Sequence, residues 1–234
     1  MVKVDIIEKT VNCLAQNIYP APQLFWSTEP PTDLTSLHNH TCNTADSKGL
    51  FTIESSINIR GNISEHAYFC SVVSGDKSQV WTASVKQQDH LFGVEGNTLF
   101  IPCMLPQPYN NFTLTWILTR TVEPIMIFTY DSQSRKITNS WEKMAEVNIQ
   151  QAHKGNGSLT LSNLESSAHT GIYTCTMSSF QMKHQVHTWV NVTVKVTGEE
   201  EIVCQQSWWG TAASGVMFLL IISVTLSRCF RHRS

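Results

Sequence analysis

The chain has 234 residues, a formal net charge of −2 and 15% charged side chains. That length suffices for two small domains, each burying its own core. The low charge argues against steering toward nucleic acid or a strongly acidic partner. The seven cysteines are Cys13, Cys42, Cys70, Cys103, Cys175, Cys204 and Cys229. They are widely spread with no CxxC pair, which argues against a zinc knuckle or thioredoxin-like site and fits disulfides of an oxidising compartment.

The N-terminal stretch MVKVDIIEKTVNC has no long apolar run and no cleavage site, so it reads as a strand rather than a leader. Short strands follow in VNCLAQNIYP, QLFWSTE, GLFTIESSINI, HAYFCSVVS and QVWTASVK. Phe51, Ile53, Ser55 and Ile57 alternate onto one face, as a half-buried strand requires. Pro20, Pro22, Pro30, Pro31, Gly49, Gly61 and Gly75 punctuate the runs. Cys13, Trp26, Tyr68 and Cys70 then stand in the Cys…Trp…Tyr-x-Cys order that resembles an immunoglobulin sandwich. The resemblance implies a Cys13–Cys70 bridge between two sheets, with Trp26 and Tyr68 in the core beside it. The spacing of 57 leaves no room for extra edge strands, so residues 1–88 are expected to form a constant-like domain. Cys42 lies in HNHTCNT, read as a polar loop, and its partner is open, as is that of Cys204.

The pattern repeats in residues 89–197: GNTLFIPCML, FTLTWILTR, PIMIFTYD, EVNIQ, GSLTLSNL, TGIYTCTMSS and VHTWVNVTVKV. Cys103, Trp116, Tyr173 and Cys175 take the same places. The longer spacing of 72 accommodates PIMIFTY and RKITNSWEK, as the two additional strands of a variable-like domain would need. The expected fold class is therefore all-β, two tandem immunoglobulin-like sandwiches, constant-type then variable-type, followed by one transmembrane helix. His169 occupies a turn position where such domains commonly carry an aspartate paired with an arginine, so that end of the domain is expected to be less strongly tied.

A stalk at 198–207 leads to WWGTAASGVMFLLIISVTL, residues 208–226, which has no charged residue. As a helix it spans about 28 Å, close to a bilayer core. Trp208 and Trp209 suit one interface, and Arg228, Arg231 and Arg233 suit the cytoplasmic side. These features predict a single-pass plasma-membrane protein with its N-terminus outside, and an absent leader is then the conflicting signal. Gly210, Ala212, Ala213, Ser214 and Gly215 would admit another helix, so self-association is a candidate. The tail, 227–234, holds no tyrosine, and Cys229 is a candidate for acylation. Asn39, Asn62, Asn111, Asn156 and Asn191 head glycosylation sequons.

Neither the histidine pairs His38/His40 and His184/His187 nor the single His153 and His169 has the framing of a zinc site. Phosphate-loop, GxSxG and HExxH motifs are lacking, so no enzyme, cofactor or metal is expected. What remains is recognition of another protein. Candidate contact residues are Ile125, Met126, Phe128, Tyr130, Phe180 and Met182, apolar and aromatic side chains of the kind enriched in interface cores.

NCLAQNIYPAPQLFW resembles the constant-type domain of B7 and butyrophilin-like proteins, in which a cysteine is followed by Tyr-Pro-x-Pro and a tryptophan. The order constant, variable, membrane is similar to family members with a variable–constant–variable layout, without the outer variable domain. The resemblance implies a ligand for a co-stimulatory or inhibitory receptor on T or natural killer cells, met in trans and held by the lipid bilayer. Cell–cell adhesion without co-signalling is the alternative.

Overall fold

The computed structural model describes residues 2–34, 38–59, 61–121 and 123–195. The expected stalk, membrane helix, tail, Cys204 and Cys229 lie outside them. Among the described residues no helix is long and apolar enough to cross a membrane.

The first half contributes β1 (Val2–Ile7), β2 (Thr10–Ile18), β3 (Gln23–Glu29), β4 (His38–Ala45), β5 (Phe51–Asn58), β6 (Ala67–Val73) and β7 (Val80–Gln87). One sheet runs β1-β2-β5-β4, and β3, β6 and β7 form the facing layer. This four-on-three arrangement is the constant-type immunoglobulin sandwich. Alternation builds it: Ile53, Ser55 and Ile57 of β5 are buried while Glu54 and Asn58 are exposed. Val11, Ile57, Val72 and Val85 are fully inaccessible, and Cys13 is bonded to Cys70 within the same cluster.

Two expectations change here. HNHTCNT is not a loop but the edge strand β4, paired with β5. From His40 to Ala45 both of its faces are exposed, so it lacks the alternation that marks a half-buried strand, and Cys42 stands free in solvent. Trp26 is only partly buried. It lies opposite Cys70 in register and its indole N–H donates to Ser55 Oγ at 2.9 Å. β3 ends its sheet, so no further strand lies along its outer edge beside the ring.

The second half contributes β8 (Leu91–Val94), β9 (Leu99–Ile101), β10 (Thr113–Thr119), β11 (Pro124–Asp131), β12 (Lys136–Asn139), β13 (Ala145–Val147), β14 (Leu159–Leu161), β15 (Gly171–Ser178) and β16 (Met182–Thr193), with two single-turn helices, α1 (Ile149–Ala152) and α2 (Ser166–His169). β13-β14-β9 face the sheet β12-β11-β10-β15-β16, and β8 runs parallel to the end of β16. The strands β11 and β12 are the addition that distinguishes a variable-type sandwich. Trp116, fully buried, lies opposite Cys175 and donates its indole N–H to the Gly157 carbonyl at 2.8 Å. Cys175 is bonded to Cys103. The Tyr173 hydroxyl donates to the His169 carbonyl at 2.9 Å. His169 is itself buried: its Nδ1 accepts from the Glu165 amide at 2.7 Å and its ring meets Trp141 edge-on. Burial holds its pKa below the ordinary value, and Arg120 donates instead to the Ser167 carbonyl.

Strand pairing also crosses the expected boundary at residue 88. β16 has twelve residues and β15 eight. β8 covers the edge of β16 from Val190 onward. The earlier edge, from Met182 to His187, pairs in parallel with β7, from Thr82 to Gln87. Thr82 N donates to Gln181 O and Gln88 N to His187 O, each at 2.8 Å. An uncovered edge of this length presents unpaired backbone groups that favour such pairing. The result is one continuous sheet from β12 to β3, above two separate hydrophobic clusters.

Candidate partner-binding face

The outward face of the variable-type sheet follows from alternation. In β10 Leu114, Trp116 and Leu118 are buried, which turns Thr113, Thr115, Ile117 and Thr119 outward. In β15 Tyr173, Cys175 and Met177 point inward, which leaves Ile172, Thr174 and Thr176 outside. Thr129 of β11, Thr115 of β10 and Thr176 of β15 lie abreast. This row is polar and β-branched, and it suits a sheet face that meets water or a partner.

β11 does not follow simple alternation. Trp116 lies opposite Phe128, but the next residue, Ile117, lies opposite Met126. Ile127 is the extra residue of a bulge, and Ile127 and Phe128 are buried in succession. The bulge shifts the facing of everything beyond it. Phe128 and Tyr130, proposed from sequence as contact residues, are therefore core residues, each 3% exposed. The Tyr130 hydroxyl is 3.0 Å from His153 Nε2, and both rings pack edge-on with Phe112.

Ile125 and Met126 remain accessible, at 38% and 46%. Phe180, at the β15–β16 tip, is 92% exposed. Met182 is partly buried against the core, and it lines a cavity of about 190 Å³ with Val2, Trp81, Phe180 and Lys183. The six candidates therefore do not form one cluster. Met126 lies level with Ile117, whereas Phe180 lies beyond Ser178, at the opposite end of the strands. The neighbours of the Met126 end are Ile172 and Trp189, which are not among the six candidates and are 37% and 39% exposed. Their signal was available: Tyr173 and Val190 point inward, so the adjoining residues must point outward. Ile172, Trp189, His187 and His90 share a groove of about 540 Å³ with Asp5, Ile6 and Gln87 of the first half.

Along this edge lie three buried polar atoms without a hydrogen-bond partner: His184 Nε2, His187 Nε2 and Thr188 Oγ1. Burial holds His184 down at about 4, reinforced by the Lys86 charge and only partly offset by the Met104 backbone. It also lowers His187, against the favourable charge of Asp5. Lys183 is lowered by burial, then by Lys3.

Among the sequons, Asn62 and Asn111 are exposed, whereas Asn156 and Asn191 are partly buried. Asn39 is on β4. Asn111 lies two residues before β10, at the same end of the sheet as Phe180. Among the described residues no group of three or more His, Cys, Asp or Glu could hold a metal ion.

Substituting Met126→Ala or Phe180→Ala is expected to leave the urea-unfolding midpoint nearly unchanged, since exposed positions typically cost within about 0.5 kcal/mol. Phe128→Ala is expected to cost about 3–5 kcal/mol. Equal losses at Phe180 and Phe128 would contradict the assignment of faces.

Comparison with protein-family models gives two matches. Residues 5–80 match the Ig-C domain described for butyrophilin subfamily 3 member A2-like proteins. Residues 86–195 match the immunoglobulin V-set domain. No curated protein matches the chain.

Proposed function

Because the chain belongs to the immunoglobulin superfamily, with a C2-set domain followed by a V-set domain, we propose that it is a cell-surface ligand for a co-stimulatory or inhibitory receptor on T or natural killer cells. It is not an enzyme: domains of these families are characteristically non-catalytic. The proposal places it in the B7/butyrophilin-like group, similar in domain order to the human endogenous retrovirus-H long-terminal-repeat-associating protein. Residues 208–226 anchor it in the bilayer with both sandwiches outside, Cys229 is acylated on the inner side, and the exposed sequons Asn62 and Asn111 carry glycans.

The observation that supports this reading is the outward face of the V-set sheet, where apolar Met126, Ile172 and Trp189 are accessible on adjoining strands. Accessible aromatic and methionine side chains at the centre of a patch, with a polar rim, are what a protein interface needs. The full chain in fluorescent liposomes, applied to cells that each display one lymphocyte receptor, tests it. Receptor-dependent binding that falls at least tenfold with Trp189→Ala is the expected result. Liposomes that bind each other and no receptor would support adhesion instead.

A further inference from the structure

The β7–β16 pairing places two histidines of one strand at the boundary between the sandwiches, with no hydrogen-bond partner for the second ring nitrogen of either. His184 and His187 are three residues apart, so they point to opposite faces of the sheet. His184 is 1% exposed. It faces Ser84 and Lys86 of β7, Glu29 at the end of β3, Ala67 of β6 and the uncharged stretch from Met104 to Pro106. Its Nδ1 is 2.7 Å from Ser84 Oγ. His187 faces Thr174 of β15, Asp5 of β1, Gln87 of β7 and His90 of the connection, with Lys183 on its own strand. Its Nδ1 is 3.0 Å from Thr174 Oγ1.

Protonation would put a proton on a ring nitrogen that has no hydrogen-bond partner in this arrangement, and would place a positive charge where burial disfavours it. Lys86 opposes the charge on His184, where the Met104 backbone offsets the effect of burial only in part, and Lys183 opposes it on His187, where Asp5 favours it. Separating the strands relieves both rings at once, because both grooves have one wall from each sandwich. It leaves each sandwich intact, because the two cores share no residue and each has its own disulfide.

We propose that the β7–β16 boundary is an acid-sensitive latch, closed while His184 and His187 are neutral and opened when they are protonated, which frees the edge of the β15–β16 hairpin from the constant-type domain. The direction follows from linkage. A histidine held at about 4 when closed, and at 6.5 when open, keeps its full stabilisation above pH 6.5 and loses it as pH falls from there toward 4. From about pH 7.4 to about pH 5, one such ring shifts the opening equilibrium about 25-fold.

Hydrogen exchange of the full chain in detergent micelles, corrected for the intrinsic pH dependence of exchange, tests the latch. Protection of residues 80–87 and 182–187 is expected to fall about 25-fold or more between those two pH values, while β10 and the part of β15 paired with it hold theirs. In the double variant His184→Gln, His187→Gln the fall is expected to vanish. Boundary amides that keep their protection at the lower pH, or that lose it together with the rest of the chain, would overturn the proposal. So would a double variant as acid-sensitive as the parent. If that variant does not fold, the peptide-resolved comparison on the unaltered chain still decides.

Discussion

Replacing Trp116 with alanine is expected to cost the variable-type sandwich about 3–5 kcal/mol, the range for removing a buried aromatic ring from a close-packed core. Trp116 has no accessible surface, lies opposite the bridged Cys175, and donates to the Gly157 carbonyl. The substitution removes the packing and leaves that carbonyl without its donor, which adds about 1 kcal/mol unless water enters the space. Trp26 holds the equivalent register position, opposite Cys70, yet its loss is expected to cost only about 1–2 kcal/mol. Its ring is partly open on an edge strand, and its acceptor Ser55 retains the Thr41 hydroxyl at 2.8 Å. Urea unfolding followed by far-ultraviolet circular dichroism measures both. Equal losses would mean that pattern position, not burial, sets the cost.

The paired substitution Cys103→Ala, Cys175→Ala is expected to cost about 4 kcal/mol, because the bridge removes the freedom of a long loop from the unfolded chain. The sequence separation is 72, against 57 for Cys13 and Cys70. The entropy of closure grows only logarithmically, so the corresponding Cys13→Ala, Cys70→Ala variant should differ from it by only about 0.2 kcal/mol. Non-reducing urea unfolding of the two variants provides the measurement. A loss several times larger in one sandwich would show that packing around its sulfurs, rather than loop closure, decides the effect.

Much of the fold was legible because it depends on local signals. Period-two alternation in GLFTIESSINI and TGIYTC marks which side chains enter a core. β4 looks like a loop in the sequence because an edge strand exposed on both faces carries no such alternation. Phe128 and Tyr130 were placed on the surface because one extra residue, Ile127, shifts the facing of β11, and a bulge leaves no compositional mark. Ile172 and Trp189 could have been found by extending the alternation of their own strands.

The sequence by itself determined the two sandwiches, their types and their order, because a cysteine pair, a tryptophan and a Tyr-x-Cys at set spacings admit few other packings. Only the tertiary structure decided that β7 lies along β16 and brings His184 and His187 into a shared boundary. Backbone N–H and C=O groups make that pairing. Every residue but proline carries both groups, so the side chains of VWTASVKQ and MKHQVH do not announce that they are neighbours.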